Sequence, residues 1–181
     1  MTTGVILAGE SKRFKEKCGL HKGLYKIDGL PLVVRIYRRL KGVFSKVILV
    51  TPEPLIFQNL KIPLREDIIK GKGPLGGLYT ALLEFERVFL VGCDMPYPSL
   101  PLIRYMLSLP PHEVVACRVK GIIQPFFASY SSSLLPRIER NLKEGKLSLK
   151  EIIKGDVLIV EEKKVKEYDP ELSSFHNLNI P

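Results

Sequence analysis

The chain has 181 residues, 45% of them hydrophobic and 26% charged, with 28 Lys and Arg against 19 Asp and Glu for a formal net charge of +9. That mix excludes a disordered chain, and no apolar run approaches the ~20 residues that span a bilayer. The length suits one domain over residues 1–181, burying roughly 70% of its unfolded surface.

Residues 4–8 (GVILA) form the first predicted strand, apolar and β-branched as in strands buried on both faces. The loop 9–22 follows, opened by Gly9 and carrying Lys12, Arg13, Lys15, Lys17 and Lys22. Residues 31–41 read as a helix, with Pro31 at its first turn and Gly42 beyond its end. Strands are predicted over 46–51 and 88–92, on either side of a helix over 76–86. A helix over 99–108, a strand over 113–119, a strand over 124–130 and a helix over 131–144 come next. A short helix over 147–153 and a strand over 157–161 complete the pattern. Strands alternating with helices imply βαβ units, hence an α/β fold in three layers around a mostly parallel sheet. The opening residues carry no secretory signal pattern. Cys18, Cys93 and Cys117 are odd in number and lack metal-ligand spacing, so a reduced, cytoplasmic protein is expected.

The charge is unevenly placed. Residues 1–46 hold 11 Lys and Arg against 3 acids, and the remaining chain is nearly balanced. In a doubly wound sheet, ligands bind outside the carboxyl ends of the strands, so the loop 9–22 is either a solvated basic loop or a polyphosphate site. It is not a P-loop, because G-x-x-x-x-G-K-[ST] does not occur. Asp94, immediately after strand 88–92, is placed either to cap a turn or to hold Mg²⁺ beside substrate phosphates. The two features together fit phosphoryl transfer. The segment from Gly71 to Gly76 matches G-x-G-x-x-G, but 65–70 is too charged for the central strand that the dinucleotide fingerprint requires. Asp67, just before it, is placed to accept hydrogen bonds from a sugar or base. His21, His112 and His176 are too scattered for a metal site. Phe126, Phe127 and Tyr130 read as core, and Arg35, Arg38 and Arg39 as a solvated helix face. A non-enzymatic nucleic-acid-binding domain is the alternative class suggested by the charge. Its concentration in one strand-following segment argues for neither nucleic acid nor membrane as partner.

The stretches Leu7-Ala8-Gly9-x-Ser11-x-Arg13-Phe14, Lys22-Gly23-Leu24 and Gly29-x-Pro31-Leu32 resemble the opening of nucleotidyltransferases. With Gly73-Pro74-Leu75-Gly76-Gly77, Cys93-Asp94-Met95-Pro96 and Asn177-Leu178-Asn179-Ile180-Pro181, the chain resembles the molybdenum cofactor guanylyltransferases over nearly its whole length. The resemblance implies a Rossmann-like nucleotidyltransferase sandwich that joins GMP from GTP to Mo-molybdopterin, with Mg²⁺. It implies nucleotide contacts from Leu7, Ala8, Gly9, Lys22, Asp67 and Asp94, with Arg13 and Lys22 on the phosphates and Asp94 on the metal. Asn177 and Asn179 fall on the pterin side, and other cofactor-biosynthesis proteins and molybdoenzymes are implied partners. A related transferase using CTP, or acting on a sugar or alcohol phosphate, is the alternative within the superfamily. Glu10 replaces a Gly of the family pattern, putting a carboxylate where backbone approach to phosphate is expected. Thr51 ends a segment where relatives often carry Asn, and the end at Pro181 implies a shortened C-terminal element.

Overall fold

The computed structural model describes residues 1–178. Seven strands form one sheet in the order β5-β4-β1-β6-β8-β7-β9. These are β1 (Thr3–Leu7), β4 (Val47–Thr51), β5 (Leu64–Glu66), β6 (Arg87–Gly92), β7 (Val114–Val119), β8 (Ile122–Ser131) and β9 (Val157–Val160). A two-residue hairpin, β2 (Lys26–Ile27) with β3 (Leu30–Pro31), stands apart from it. Strand β1 pairs in parallel with β4 on one side and β6 on the other. Strand β8 alone runs against its neighbours, antiparallel to both β6 and β7. The sheet is therefore mostly parallel, as expected.

Alternation along β1 feeds two cores. Ile6 and Ala8 pack with Val33, Ile36 and Leu40 of α2 (Leu32–Leu40) and with Leu102, Ile103 and Met106 of α4 (Leu100–Ser108). Val165 of α6 (Glu162–Tyr168) joins that face. Val5 and Leu7 point the other way, onto Leu75, Leu78 and Ala81 of α3 (Gly73–Glu84) and into the cluster holding Ile138 of α5 (Leu135–Lys143). Both faces of the central strands are thus dry, which is why their sequences read as continuous apolar runs. No helix among the described residues is long and apolar enough to cross a membrane.

Several boundaries differ from expectation. The loop 9–22 contains a helix, α1 (Lys12–Cys18), of which only Phe14 is buried, so no apolar stripe announces it. Helix α3 starts at Gly73, three residues early, with Pro74 in its first turn. Helix α5 starts at Leu135 rather than 131, because β8 runs to Ser131 and the Ser131 hydroxyl then accepts the Ser133 N–H to open a 3₁₀ turn. The charged segment before the glycines does hold a strand, β5, but it is short and lies at the sheet edge. The dinucleotide fingerprint lacks its central strand, as read from the sequence.

Helix α3 lies unusually close to β1. A Cβ at Gly77 would sit 2.2 Å from Leu7 Cδ1. Gly77→Val is expected to destabilise the fold by about 3 kcal/mol through overpacking. Denaturant unfolding checks this, and an unchanged midpoint would show that the helix can lift off the sheet without penalty.

Candidate active site

The order of β5, β4, β1 and β6 makes the gap between β1 and β6 the point where successive connections leave in opposite directions, the place where such sheets bind ligands. A cavity of about 610 Å³ opens there, at the carboxyl ends of the strands. Its floor is Leu7 with Ala8 and Gly9 just past the end of β1, and Gly92 with Cys93 and Asp94 just past the end of β6. The ladder continues past the strand ends: Ala8 N–H donates to the Val50 carbonyl at 2.9 Å, and Cys93 N–H to the Leu7 carbonyl at 3.0 Å. On one side stand Pro52, Asp67, Gly73 and Pro74, and on the other Met95, Gln124, Phe126 and Asn177.

Between the two sides, Lys22 Nζ lies 3.5 Å from Asp94 Oδ2, both side chains largely shielded from solvent. Glu10 and Lys12 line the near rim and pair at 3.1 Å, so the carboxylate in place of the family Gly is neutralised locally. A Cβ at Gly9 would meet no atom within 4 Å, which leaves the loop backbone open to a ligand. Asp67 is held from two directions. Its N–H donates to the Thr51 carbonyl at 3.0 Å, and the next N–H, of Ile68, donates to Thr80 Oγ1 on α3 at 3.0 Å. Its Oδ1 is buried and has no hydrogen-bond partner. Burial pushes its carboxyl up to about 6, helped by the neighbouring Glu66. A buried carboxylate oxygen with nothing to accept is primed for a ligand donor.

The MobA-like NTP transferase domain matches residues 4–163. A probable molybdenum cofactor guanylyltransferase of Peptoclostridium acidaminophilum is 34% identical, covering 98% of this chain and 84% of that protein. A molybdenum cofactor guanylyltransferase of Desulfosudis oleivorans is 32% identical, over 98% of this chain and 89% of that one. This chain belongs to the MobA-like NTP transferase family. It is a nucleotidyltransferase. In fold it is similar to the molybdopterin-guanine dinucleotide biosynthesis protein A of Archaeoglobus fulgidus, with a TM-score of 0.85 at 20% identity. That match covers 99% of this chain and 93% of the other.

Of the residues that the sequence marks in this MobA-like protein, Leu7, Ala8, Gly9, Lys22, Asp67, Asp94 and Asn177 all line the one cavity. Asn179 lies outside the described residues. Arg13 is exposed on α1 and does not line the cavity, whereas Lys12, one residue earlier, does. Thr51 is buried, its hydroxyl taken by the Glu53 N–H at 3.1 Å, and Pro52 reaches the cavity instead. Phe127 and Tyr130 are core, as read, but Phe126 is half-buried and faces the cavity with Gln124. The signal for these two was Pro125. A proline inside a strand run marks a bulge, and bulges beside active sites re-aim side chains. Register between β7 and β8 indeed breaks there, with Ala116 opposite Ala128 but Arg118 opposite Ile123.

Among the described residues, no group of three or more His, Cys, Asp and Glu side chains could hold a metal alone. Asp94 nevertheless fits Mg²⁺, which typically takes one or two carboxylates and completes its shell with water and substrate phosphate.

Because Asp67 binds its proton more tightly folded than unfolded, its carboxyl destabilises the fold increasingly as pH rises from about 4 to about 6, and constantly above that. Asp67→Asn is therefore expected to raise the melting temperature at pH 8, with the gain vanishing by pH 4. Equal shifts at both pH values would show that the buried charge is not the cause.

Proposed function

We propose that the chain, as a single domain, transfers GMP from GTP to Mo-molybdopterin, forming the guanine dinucleotide cofactor and releasing pyrophosphate. The observation that carries this reading is a continuous cavity with two unlike sides meeting at Lys22 and Asp94. The names of its relatives supply the substrates. GTP takes the side of Gly9, Asp67 and the α3 N-terminus, whose free N–H groups favour an anion. The unpartnered Asp67 oxygen accepts from the nucleoside. Mo-molybdopterin takes the side of Phe126, Gln124 and Asn177, with its phosphate turned toward Lys22.

An oxygen of the acceptor phosphate forms a bond to the α-phosphorus of GTP. The bond from that phosphorus to the bridging oxygen breaks, and pyrophosphate leaves with its electron pair. A phosphate monoester has its second pKa near ~6, so the nucleophile is already anionic at neutral pH and needs no general base. The protein's task is to bring two anions together. Lys22 stands where the acceptor phosphate and the α-phosphate meet, and Lys12, at the exposed rim, exchanges Glu10 for the outer phosphates. The phosphate role read for Arg13 passes to Lys12. Asp94 would hold Mg²⁺, which when bound supplies charge neutralisation for the triphosphate and the leaving pyrophosphate.

Purified protein with Mg²⁺, GTP and Mo-molybdopterin is expected to yield the guanine dinucleotide, followed by chromatography. Thermal shift against GTP, CTP, ATP and UTP should show the largest stabilisation with GTP. A preference for CTP, or turnover of a sugar phosphate alone, would overturn the substrate assignment. Lys22→Ala and Asp94→Ala are each expected to lower turnover by about a hundredfold or more, the scale of losing one fixed charge at developing negative charge. Wild-type rates in either variant would remove that residue from the site.

A further inference from the structure

Directly behind the cavity, and not lining it, lies His21, only 2% exposed. Its ring is engaged at both nitrogens. Nδ1 accepts the Gly23 N–H at 2.9 Å, and Nε2 meets the Gly9 carbonyl oxygen in a short contact. An atom that accepts from an N–H carries no proton, so Nε2 carries the ring hydrogen and donates it to Gly9. The ring stands edge-on to Phe57, 5.0 Å between centroids. Gly23 is held just as tightly, since a Cβ there would lie 2.8 Å from Val33 Cγ1 and 3.2 Å from Phe57 Cε1. Between these two anchored residues is Lys22, whose N–H donates to Ser11 Oγ at 3.1 Å.

We propose that His21 is the positioning residue of the phosphate site: one neutral imidazole clamps the Gly9 carbonyl to the Gly23 amide, fixing the distance between the open loop backbone and Lys22. The inference rests on the nucleotidyl-transfer reading above, because it assigns both clamped parts to one ligand. The ring stays neutral for two reasons. Burial lowers its basicity, as do the charges of Lys15 and Lys22, against the opposing pull of the Gly9 carbonyl and of Glu53. A proton at Nδ1 would also face the Gly23 N–H and break the clamp. His21 touches neither the cavity nor the reacting atoms, so its effect falls on how well the nucleotide is held.

Three measurements on the intact protein test this. Imidazole ¹⁵N spectra at pH 7.5, assigned by comparison with His21→Gln, are expected to show the Nε2–H tautomer at His21. An Nδ1–H or doubly protonated ring would overturn the clamp, with or without nucleotide. His21→Phe keeps the aromatic face against Phe57 and loses both hydrogen bonds. It is expected to raise the KM and Kd for Mg·GTP about tenfold, the scale of one lost hydrogen bond, with kcat changing by less than about threefold. His21→Gln can return an N–H to Gly9, while His21→Asn returns only an acceptor for Gly23. Gln is therefore expected to recover GTP affinity that Asn does not. Equal affinities in Gln and Asn, or a folded Phe variant that binds GTP as the wild type does, would overturn the role. The Gln–Asn comparison decides even if the Phe variant does not fold. Wild-type protein that fails to bind Mg·GTP would overturn the function reading and this role with it, a result distinct from normal wild-type binding with unaffected variants.

Discussion

The rest of the molecule depends on the placement of β1. Its side chains are buried on both faces, and it pairs in parallel with β4 on one side and β6 on the other. Right-handed crossovers then carry the connections to β4 and to β6 onto opposite faces of the sheet, which is what puts α2 and α3 in different layers. The carboxyl ends of β1 and β6, still paired through the Cys93 N–H and the Leu7 carbonyl, thus form the floor between those two layers. The close approach of Gly77 to Leu7 sets how low α3 lies, and so where its first turn meets the cavity. Asp67 is fixed by the same helix through Thr80. A cavity with its donors and carboxylates in place is thus the geometric outcome of one strand having two parallel neighbours.

The positive charge of the first quarter of the chain serves two ends. Lys12 and Lys22 face the cavity. Three others have structural partners: Lys15 meets both Glu53 oxygens at 2.6 and 2.7 Å. Arg35 donates to the Ile27 carbonyl at 3.0 Å, tying α2 to the β2–β3 hairpin. Arg39 donates to the Pro98 carbonyl, holding the segment after Asp94 against α2. Each guanidinium offers several donors in a rigid fork, which suits bridging between backbone segments. The basic segment therefore builds the frame around the cavity as well as part of its lining.

The central strands were legible because double-sided burial leaves an unbroken apolar run in 4–8, 46–51 and 88–92. The site was legible to the same extent, since Gly9, Lys22 and Asp94 follow those strands and strand ends converge. What escaped was direction. Helix α1 has a single buried residue, so nothing in its periodicity says that exposed Lys12, rather than Arg13, stands at the cavity rim. Arg38 and Arg39 are exposed, as the solvated-face reading has it, but Arg35 is half-buried against the Ile27 carbonyl and Asp28, across a hairpin that no helical periodicity reveals. The short strand β5 escaped because an edge strand needs no continuous apolar run. His21 was invisible for a related reason: both its bonds are to main-chain groups, and an isolated histidine in sequence carries no sign of them.

The bulge at Gln124 to Phe126 mounts one wall of the cavity on a sheet strand. The Tyr130 hydroxyl, from further along the same strand, donates to the Pro125 carbonyl at 2.5 Å. Tyr130 itself is fully buried. Phe126 is therefore mounted on a strand whose neighbour Phe127 is laddered to Val91, next to the end of β6. The opposite wall is the segment around Asp67 and the first turn of α3, tied together by the Asp67 and Ile68 N–H groups. The position of Phe126 in the cavity is therefore set by the register of a sheet strand, not by the course of a loop.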